Sequence, residues 1–379
     1  MAKQVILAVA GAGKTYYISR KIDPAKKNLI LAYTHENVKN IHRELIDAHG
    51  NIPHLTTVMT FDSFVYRLII CPYIPTIANC FSRSDFEHRG ITLAKPPAQK
   101  IKKSDGSYRH NPICPKVSEL EHYFTRKGQL YNEYATKLIM RSKKGKQTVI
   151  SRASSAMNRF YDQIMIDEFQ DFREDDFDII VALSKGVDNV LLVGDYFQHS
   201  VSAINNTGKP FVKGKPKTTV TYNDFVQSVK AEGFDVDETT LVKTRRCPEK
   251  ICTFVTSKLG IEICADNNNL GDVIWVANSD IEKVLENDNI VKLVYENSAK
   301  YSFRSQNWSY SKGNTFNDVC LILTKSLDGF DYTTFSPANI APTTLNKLYV
   351  ALTRTKGNLY IITEKQIMTV KDKYLKNIS

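Results

Sequence analysis

Ala8-Val-Ala-Gly-Ala-Gly-Lys-Thr15 limits what this chain can fold into more than any other stretch of it. The run fits a phosphate-binding loop with alanine in the first glycine slot, and such a loop needs a strand before it and a helix after it. Both are predicted: an apolar β-rich run over residues 4–9, and a helical pattern from about Lys14. Gly11 and Gly13 let the backbone bend so that the N–H groups of the turn, Ala10 to Gly13 with Ala12 between, point into a concavity for phosphate oxygens. The helix start adds the positive end of a dipole. Lys14 is then placed to reach the β- and γ-phosphates, and the Thr15 hydroxyl to ligate Mg²⁺.

A loop of this kind needs a metal-holding acid on a neighbouring strand. Ile164-Met-Ile-Asp-Glu-Phe-Gln-Asp171 supplies it. Asp167 closes an apolar strand, where its carboxylate is placed to hold Mg²⁺ through water. Glu168, one residue on, is the natural base to orient and deprotonate an attacking water. Together the two motifs predict hydrolysis of a nucleoside triphosphate.

Around them, short β-rich runs alternate with helical patterns, as βαβ units do. Strands are expected near residues 29–33, 57–59, 163–166 and 190–193, and a second series near 273–277, 290–295, 319–323 and 359–362. The predicted class is α/β with parallel sheets in two domains. Residues 1–71 and 156–235 form the first, residues 236–379 the second, and 72–155 read as an insertion into the first.

Charge singles out that insertion. The chain carries a net +11, and residues 72–155 hold sixteen Lys and Arg against six Asp and Glu, so nearly all the excess lies there. Its cations interleave with Tyr73, Phe81, Phe86, Tyr108, Tyr123, Phe124, Tyr131 and Tyr134. That mixture suits single-stranded nucleic acid, because cations follow phosphates while rings stack on bases without choosing sequence. Most of these rings are expected in the insertion's own small core. Lys143, Lys144 and Lys146 are the plainest phosphate contacts, and a second lysine-bearing stretch (Lys209, Lys213, Lys215, Lys217) follows later.

No apolar run approaches the roughly 18 residues of a membrane-spanning helix, and the start lacks the shape of a signal peptide. No membrane partner is expected. Seven scattered cysteines without a Cys-x-x-Cys pair read as reduced thiols of a cytoplasmic protein. Cys71, Cys80, His88 and Cys114 could gather around a metal, at a spacing looser than metal sites use.

Asp-Glu-Phe-Gln-Asp is also where the chain resembles the superfamily 1 helicases of the UvrD/Rep-like branch, and the likeness continues in order along almost the whole sequence. Leu31-Ala-Tyr-Thr-His-Glu-Asn37 resembles the family's first single-strand contact, with Thr34 in the phosphate-touching position and Asn37 beside it. Thr60-Phe-Asp-Ser-Phe64 is similar to its Thr-Phe-His-Ser-Phe element, and Val193-Gly-Asp-Tyr-Phe-Gln198 to Gly-Asp-x-x-Gln. Leu241-Val-Lys-Thr-Arg-Arg246, Ser311-Lys-Gly-Asn-Thr-Phe316 and Leu348-Tyr-Val-Ala-Leu-Thr-Arg354 resemble the three elements of the second domain.

The resemblance implies two RecA-like domains, ATP and Mg²⁺, and translocation on single-stranded DNA, 3′ to 5′, with RNA the other strand these features admit. It implies that Gln170 and Gln198 report the γ-phosphate, with Asp195 in the same element, and that Gly313 belongs to the nucleotide site. It also implies that Arg246 and Arg354 meet the transferring phosphoryl group, and that Thr34, Asn37, Thr60, Phe61 and Lys312 meet the strand. The family's adenine-reading glutamine would lie upstream of this sequence. Asp62 and Thr315 replace a usual histidine and glutamate, and residues 252–310 are too few for the family's large second-domain insertion. Two other readings stay open: an ATPase that remodels nucleoprotein beside a nuclease or a replication or repair protein, and a nucleotide-gated switch for a protein partner.

Overall fold

The apolar run at the start becomes β1 (Ala2–Leu7) in the computed structural model, and the glycine turn after it opens α1 (Lys14–Lys21). Then follow β2 (Asn28–Ala32), α2 (His35–His49), β3 (Thr56–Thr60), β4 (Gln163–Asp167), α3 (Asp175–Gly186) and β5 (Asn189–Gly194). The second series is α4 (Glu249–Leu259), β6 (Val273–Trp275), β7 (Ile290–Val294), β8 (Ser305–Asn307), β9 (Asp318–Ile322), α5 (Pro342–Leu352) and β10 (Leu359–Ile362). The structure describes residues 2–199, 209–213, 218–327, 329–332 and 335–376. Lys215 and Lys217 of the second lysine stretch lie outside the described residues, as does the side chain of Lys213.

The chain divides into two compact units. The first comprises Met1–Gln4, Ile18–Asp167 and Phe172–Leu192. Here β2 pairs in parallel with β4 and with β3, so that Ile30 stands opposite both Met165 and Val58. All five residues of β2 are buried, which is why it reads as a continuous apolar run and not as an alternation. Thr34 starts α2, its Oγ1 accepting the Asn37 N–H at 3.1 Å, and Gly50 ends it at φ 77°.

Within residues 72–155 of this unit, Tyr123, Phe124 and Tyr134 are buried, and His122 stacks on Tyr134 with ring centroids 4.8 Å apart. Of the eight aromatics counted above, Tyr108 alone is exposed, at 65%. The insertion's aromatics therefore serve mainly its own core, as expected. Helix Val149–Met157 packs on α3 so closely that a Cβ on Gly186 would lie 2.5 Å from the Ser154 Cβ.

The second unit comprises Val5–Tyr17, Glu168–Asp171 and Val193–Ser379. Its sheet runs β6-β10-β9-β7-β8 with every pair parallel. Trp308 is fully buried beneath it and satisfies its indole by donating to the Leu293 carbonyl at 3.0 Å. Leu321, Leu348, Tyr349 and Ile361 share that core, and so does Ala10 of the glycine-rich loop. The loop is anchored here: Ala8 donates its N–H to the Gly194 carbonyl at 2.7 Å, and Val9 to the Leu241 carbonyl at 2.9 Å.

The α/β class with parallel sheets is thus what the chain adopts. No described helix is long and apolar enough to cross a membrane. All seven cysteines are free, and Cys71, Cys80, His88 and Cys114 do not assemble a metal-holding group among the described residues.

Candidate nucleotide site

Gly11 and Gly13 hold φ values of 73° and 84°, a region that residues with a side chain enter only under strain. The turn is also tightly covered. The Gly11 carbonyl accepts the Arg245 N–H at 2.9 Å, and a Cβ on Gly11 would lie 2.6 Å from Thr244 Oγ1 and 2.8 Å from the Arg246 Cβ. Glycine is therefore required here twice over, by conformation and by space. Thr15 stands in the first turn of α1, and the next residue, Tyr16, lies under the Arg245 guanidinium at 4.1 Å from the ring centroid.

Lys14 is 8% exposed, with its Nζ 3.3 Å from Glu168 Oε1. Glu168 follows Asp167, the buried end of β4, and occupies φ 54°, a strained conformation for glutamate. Burial by itself would push the Glu168 carboxyl up. Lys14, then Lys312 and a hydrogen bond from Gln170, outweigh it and bring the group down to about 2.

Gln170 links two acids: its Nε2 donates to Glu168, and its Oε1 accepts the Asp195 N–H at 3.0 Å. Gly194 leaves the space for that amide, since a Cβ there would lie 2.4 Å from Gln170 Oε1. Asp195 is 1% exposed. Its Oδ1 accepts the Phe197 N–H at 3.0 Å, whereas its Oδ2 is buried without a hydrogen-bond partner. Burial pushes this carboxyl up to about 6 against the pull of Lys14.

Two arginines from the second series of elements complete the group. Arg246 donates from Nη1 to the Thr353 carbonyl at 3.0 Å. Arg354 is 1% exposed and donates from Nε to the Val350 carbonyl at 2.8 Å, with Asn314 O and Thr353 Oγ1 at the far ends of its fork. Neither guanidinium has a carboxylate partner among the described residues. Burial, then the charge of Arg246, lowers Arg354 to about 9; burial lowers Arg246 as well. One buried and one half-buried cation, held only by carbonyls and a hydroxyl, form a place where an anion is strongly favoured.

The residues expected to meet a nucleic-acid strand behave differently from one another. Lys143, Lys144 and Lys146 are exposed on a hairpin formed by Lys143–Lys144 and Gln147–Thr148. Thr34 and Asn37 sit at the start of α2, bonded to each other. Thr60, 6% exposed, caps the short helix after β3. Phe61, 2% exposed, packs edge-on against Phe172 at 4.8 Å, so it fills core and offers no face to a base. Lys312 is not at a strand surface either: its Nζ lies 2.7 Å from both Asp171 oxygens and donates to the Gln198 carbonyl at 3.0 Å. A partly buried ammonium needs such a counter-charge, and the nearest ones belong to the nucleotide group. Gly313, at φ 86°, turns the chain so that the Asn314 carbonyl meets Arg354.

Asp171 is a residue the motif reading left unassigned, although it closes the acidic run. Tyr16, beside its motif, and Tyr349, within the 348–354 element, are also unassigned there, because an aromatic ring by itself does not signal a phosphate-site role. A cavity of about 790 Å³ shares Ala8, Val9, Asp195 and Phe197 with this site and is also lined by 221–223 and 260–264, but Lys14, Glu168 and the two arginines do not line it.

A glycine-rich turn, a paired lysine and glutamate, a glutamine bridge and two uncompensated arginines define a phosphate-handling α/β protein. The AAA domain family model matches residues 2–203, more than half of the chain, and the chain belongs to that family. No curated protein matches the sequence. Among solved structures, the arterivirus nonstructural protein 10 (helicase) in complex with DNA is 14% identical, with a TM-score of 0.45, covering 98% of this chain and 62% of that one. A crystal structure of arterivirus nonstructural protein 10 (helicase) gives 14%, 0.45, 96% and 61%, and the PRRSV helicase 15%, 0.44, 97% and 53%. The chain thus spans less than two thirds of the length of the solved helicases it matches.

Proposed function

We propose that this chain is an ATP hydrolase that moves along single-stranded nucleic acid: a compact superfamily 1 helicase or translocase of the UvrD/Rep-like kind, acting on DNA from 3′ to 5′. Its domains would be 1–71 with 156–235, the insertion 72–155, and 236–379. The observation that carries the reading is a pair of arginines without carboxylate partners among the described residues, Arg354 buried and Arg246 half-buried, in the same compact unit as Lys14 and Glu168. Such a group suits a substrate that brings several negative charges.

In this reading the loop N–H groups and Lys14 bind the phosphates. Lys14 cannot serve Glu168 and a phosphate at full strength. As the phosphate takes Lys14, Glu168 loses the largest charge holding its pKa down, and its carboxylate becomes a stronger base for the attacking water. Gln170 carries the change to Asp195, next to Gln198. Arg246 and Arg354 stabilise charge on the transferring group, which planar guanidinium groups do well. The Thr15 hydroxyl and the Asp167 carboxylate are oxygen donors of the kind Mg²⁺ takes and would hold it in this reading. Mg²⁺ there would neutralise phosphate charge.

The deciding experiment is ATP hydrolysis with and without single-stranded DNA and RNA, alongside Glu168→Gln. Strong stimulation abolished by Glu168→Gln supports the motor. The burial of Phe61 and the engagement of Lys312 favour a second reading, a nucleotide-gated switch for a protein. Hydrolysis indifferent to both nucleic acids would select that one.

A further inference from the structure

Helix α5 turns one polar face toward three separate parts of the nucleotide site. Asn346 Nδ2 meets the His199 ring at 3.0 Å, just past Gln198. Three residues on, the Tyr349 hydroxyl accepts the Ala10 N–H at 2.9 Å. Four further, the Thr353 carbonyl accepts Arg246, immediately before Arg354. Asn346 and Tyr349, three residues apart, lie on one side of the helix, and the Thr353 carbonyl at its C-cap continues that stripe.

Tyr349 is the centre of that stripe. It is fully buried, and its ring packs edge-on against Phe197 at 5.8 Å. Ala10 is also fully buried, so no water replaces the hydroxyl if it is lost. An orphaned N–H in such a place is relieved only by moving the backbone, and that backbone is the phosphate loop. The loop is held again one residue further on, since the Gly11 carbonyl accepts the Arg245 N–H at 2.9 Å.

We propose that Tyr349 is a positioning residue for hydrolysis: its hydroxyl holds the phosphate loop in register with Arg354, which follows the same helix, and with Arg246, which bonds to the end of that helix. The proposal rests on the ATP-hydrolase reading. It assigns Tyr349 no contact with substrate. Its role is to set the separation between the groups that bind phosphate and those that stabilise its transfer, where misplacements near 1 Å cost on the order of 100-fold in rate.

The test is Tyr349→Phe in the full chain, which keeps the ring and deletes the oxygen. Turnover, KM for ATP, binding of a fluorescent ADP analogue and thermal stability are measured with wild type and Glu168→Gln in parallel. The expected result is a kcat lower by about 10-fold or more, with analogue affinity within about 3-fold of wild type. Unchanged kcat per analogue-binding site overturns the proposal, even where the folded fraction drops, because that pattern marks a structural role only. If Tyr349→Phe does not fold, exchange of the Ala10 amide is followed in the wild type. Slow exchange is expected, and exchange as fast as in exposed loops overturns the contact. A wild type without hydrolysis sensitive to Glu168→Gln removes the ATP-hydrolase reading and this proposal with it. Wild-type turnover beside an unaffected Tyr349→Phe removes this proposal alone.

Discussion

Lys14 and Glu168 lie 3.3 Å apart, so the cation expected to bind phosphate and the carboxylate expected to activate water occupy each other. Lys14 is buried and Glu168 half-buried, and each satisfies the other's charge. In the proposed reading, phosphate binding would have to break or share this pair, and the pair would then respond to occupancy.

Replacing Glu168 with Gln should therefore separate binding from turnover. Hydrolysis is expected to fall by about 100-fold or more, the size of a lost general base. Nucleotide affinity should hold or rise, because Lys14 no longer has an anionic partner to leave. Steady-state turnover and a fluorescent-nucleotide titration on the same preparation check both halves.

Asp195 predicts a pH dependence. Its pKa is raised from 3.8 to about 6 in the folded protein, so folding is disfavoured progressively as pH rises from 3.8 through 6. Asp195→Asn removes the buried charge. The variant should gain little stability near pH 4 and gain most above pH 6, by at most roughly 3 kcal/mol at 1.36 kcal/mol per pKa unit. Denaturant melts at pH 4 and pH 8 measure the difference; an equal effect at both would count against the buried-charge account.

Gly194→Ala tests the glutamine bridge. The added Cβ would fall 2.4 Å from Gln170 Oε1 and 2.5 Å from the Phe169 ring, so Gln170 must shift off the Asp195 N–H. A stability loss of about 1–3 kcal/mol is expected from overpacking. Turnover per folded molecule should fall with it, and denaturant titration beside activity separates the two.

Charge reversal at Lys143, Lys144 and Lys146 addresses the strand. If these exposed lysines track phosphates, the triple Glu variant should bind single-stranded DNA more weakly. Its log-affinity should also respond less steeply to log salt, by about 2 for three lost contacts at roughly 0.7 each. Fluorescence anisotropy over a salt series reads the slope, and an unchanged slope would assign the hairpin to solvent. Basal hydrolysis should not change.

Much of the fold was legible because its signals are local. β10 falls on the expected residues 359–362, and β2, β4, β5 and β7 lie within a residue or so of the apolar runs that announced them. Buried parallel strands leave such runs because both faces must be apolar. What local signals do not carry is the surroundings a side chain receives from elsewhere in the chain. Phe61 reads as a strand contact by position in its motif, yet Phe172, more than a hundred residues on, encloses it. Lys312 looks like a free surface cation until Asp171 appears beside it.

By itself the sequence determined the chemistry available to this protein: the glycines that permit the phosphate turn, the paired acids after β4, the arginines of the second series and the basic insertion. These follow from backbone permission and side-chain type, which each residue carries with it. Tertiary structure alone decided which of those groups meet. Ala10 and Tyr349 are separated by 339 positions, and their hydrogen bond exists only because a shared core brings α5 against the loop. The strained backbone of Glu168, the orphaned oxygen of Asp195 and the unpaired burial of Arg354 are products of packing in the same way. No local pattern announces them, because strain, desolvation and missing partners are properties of an environment and not of a residue.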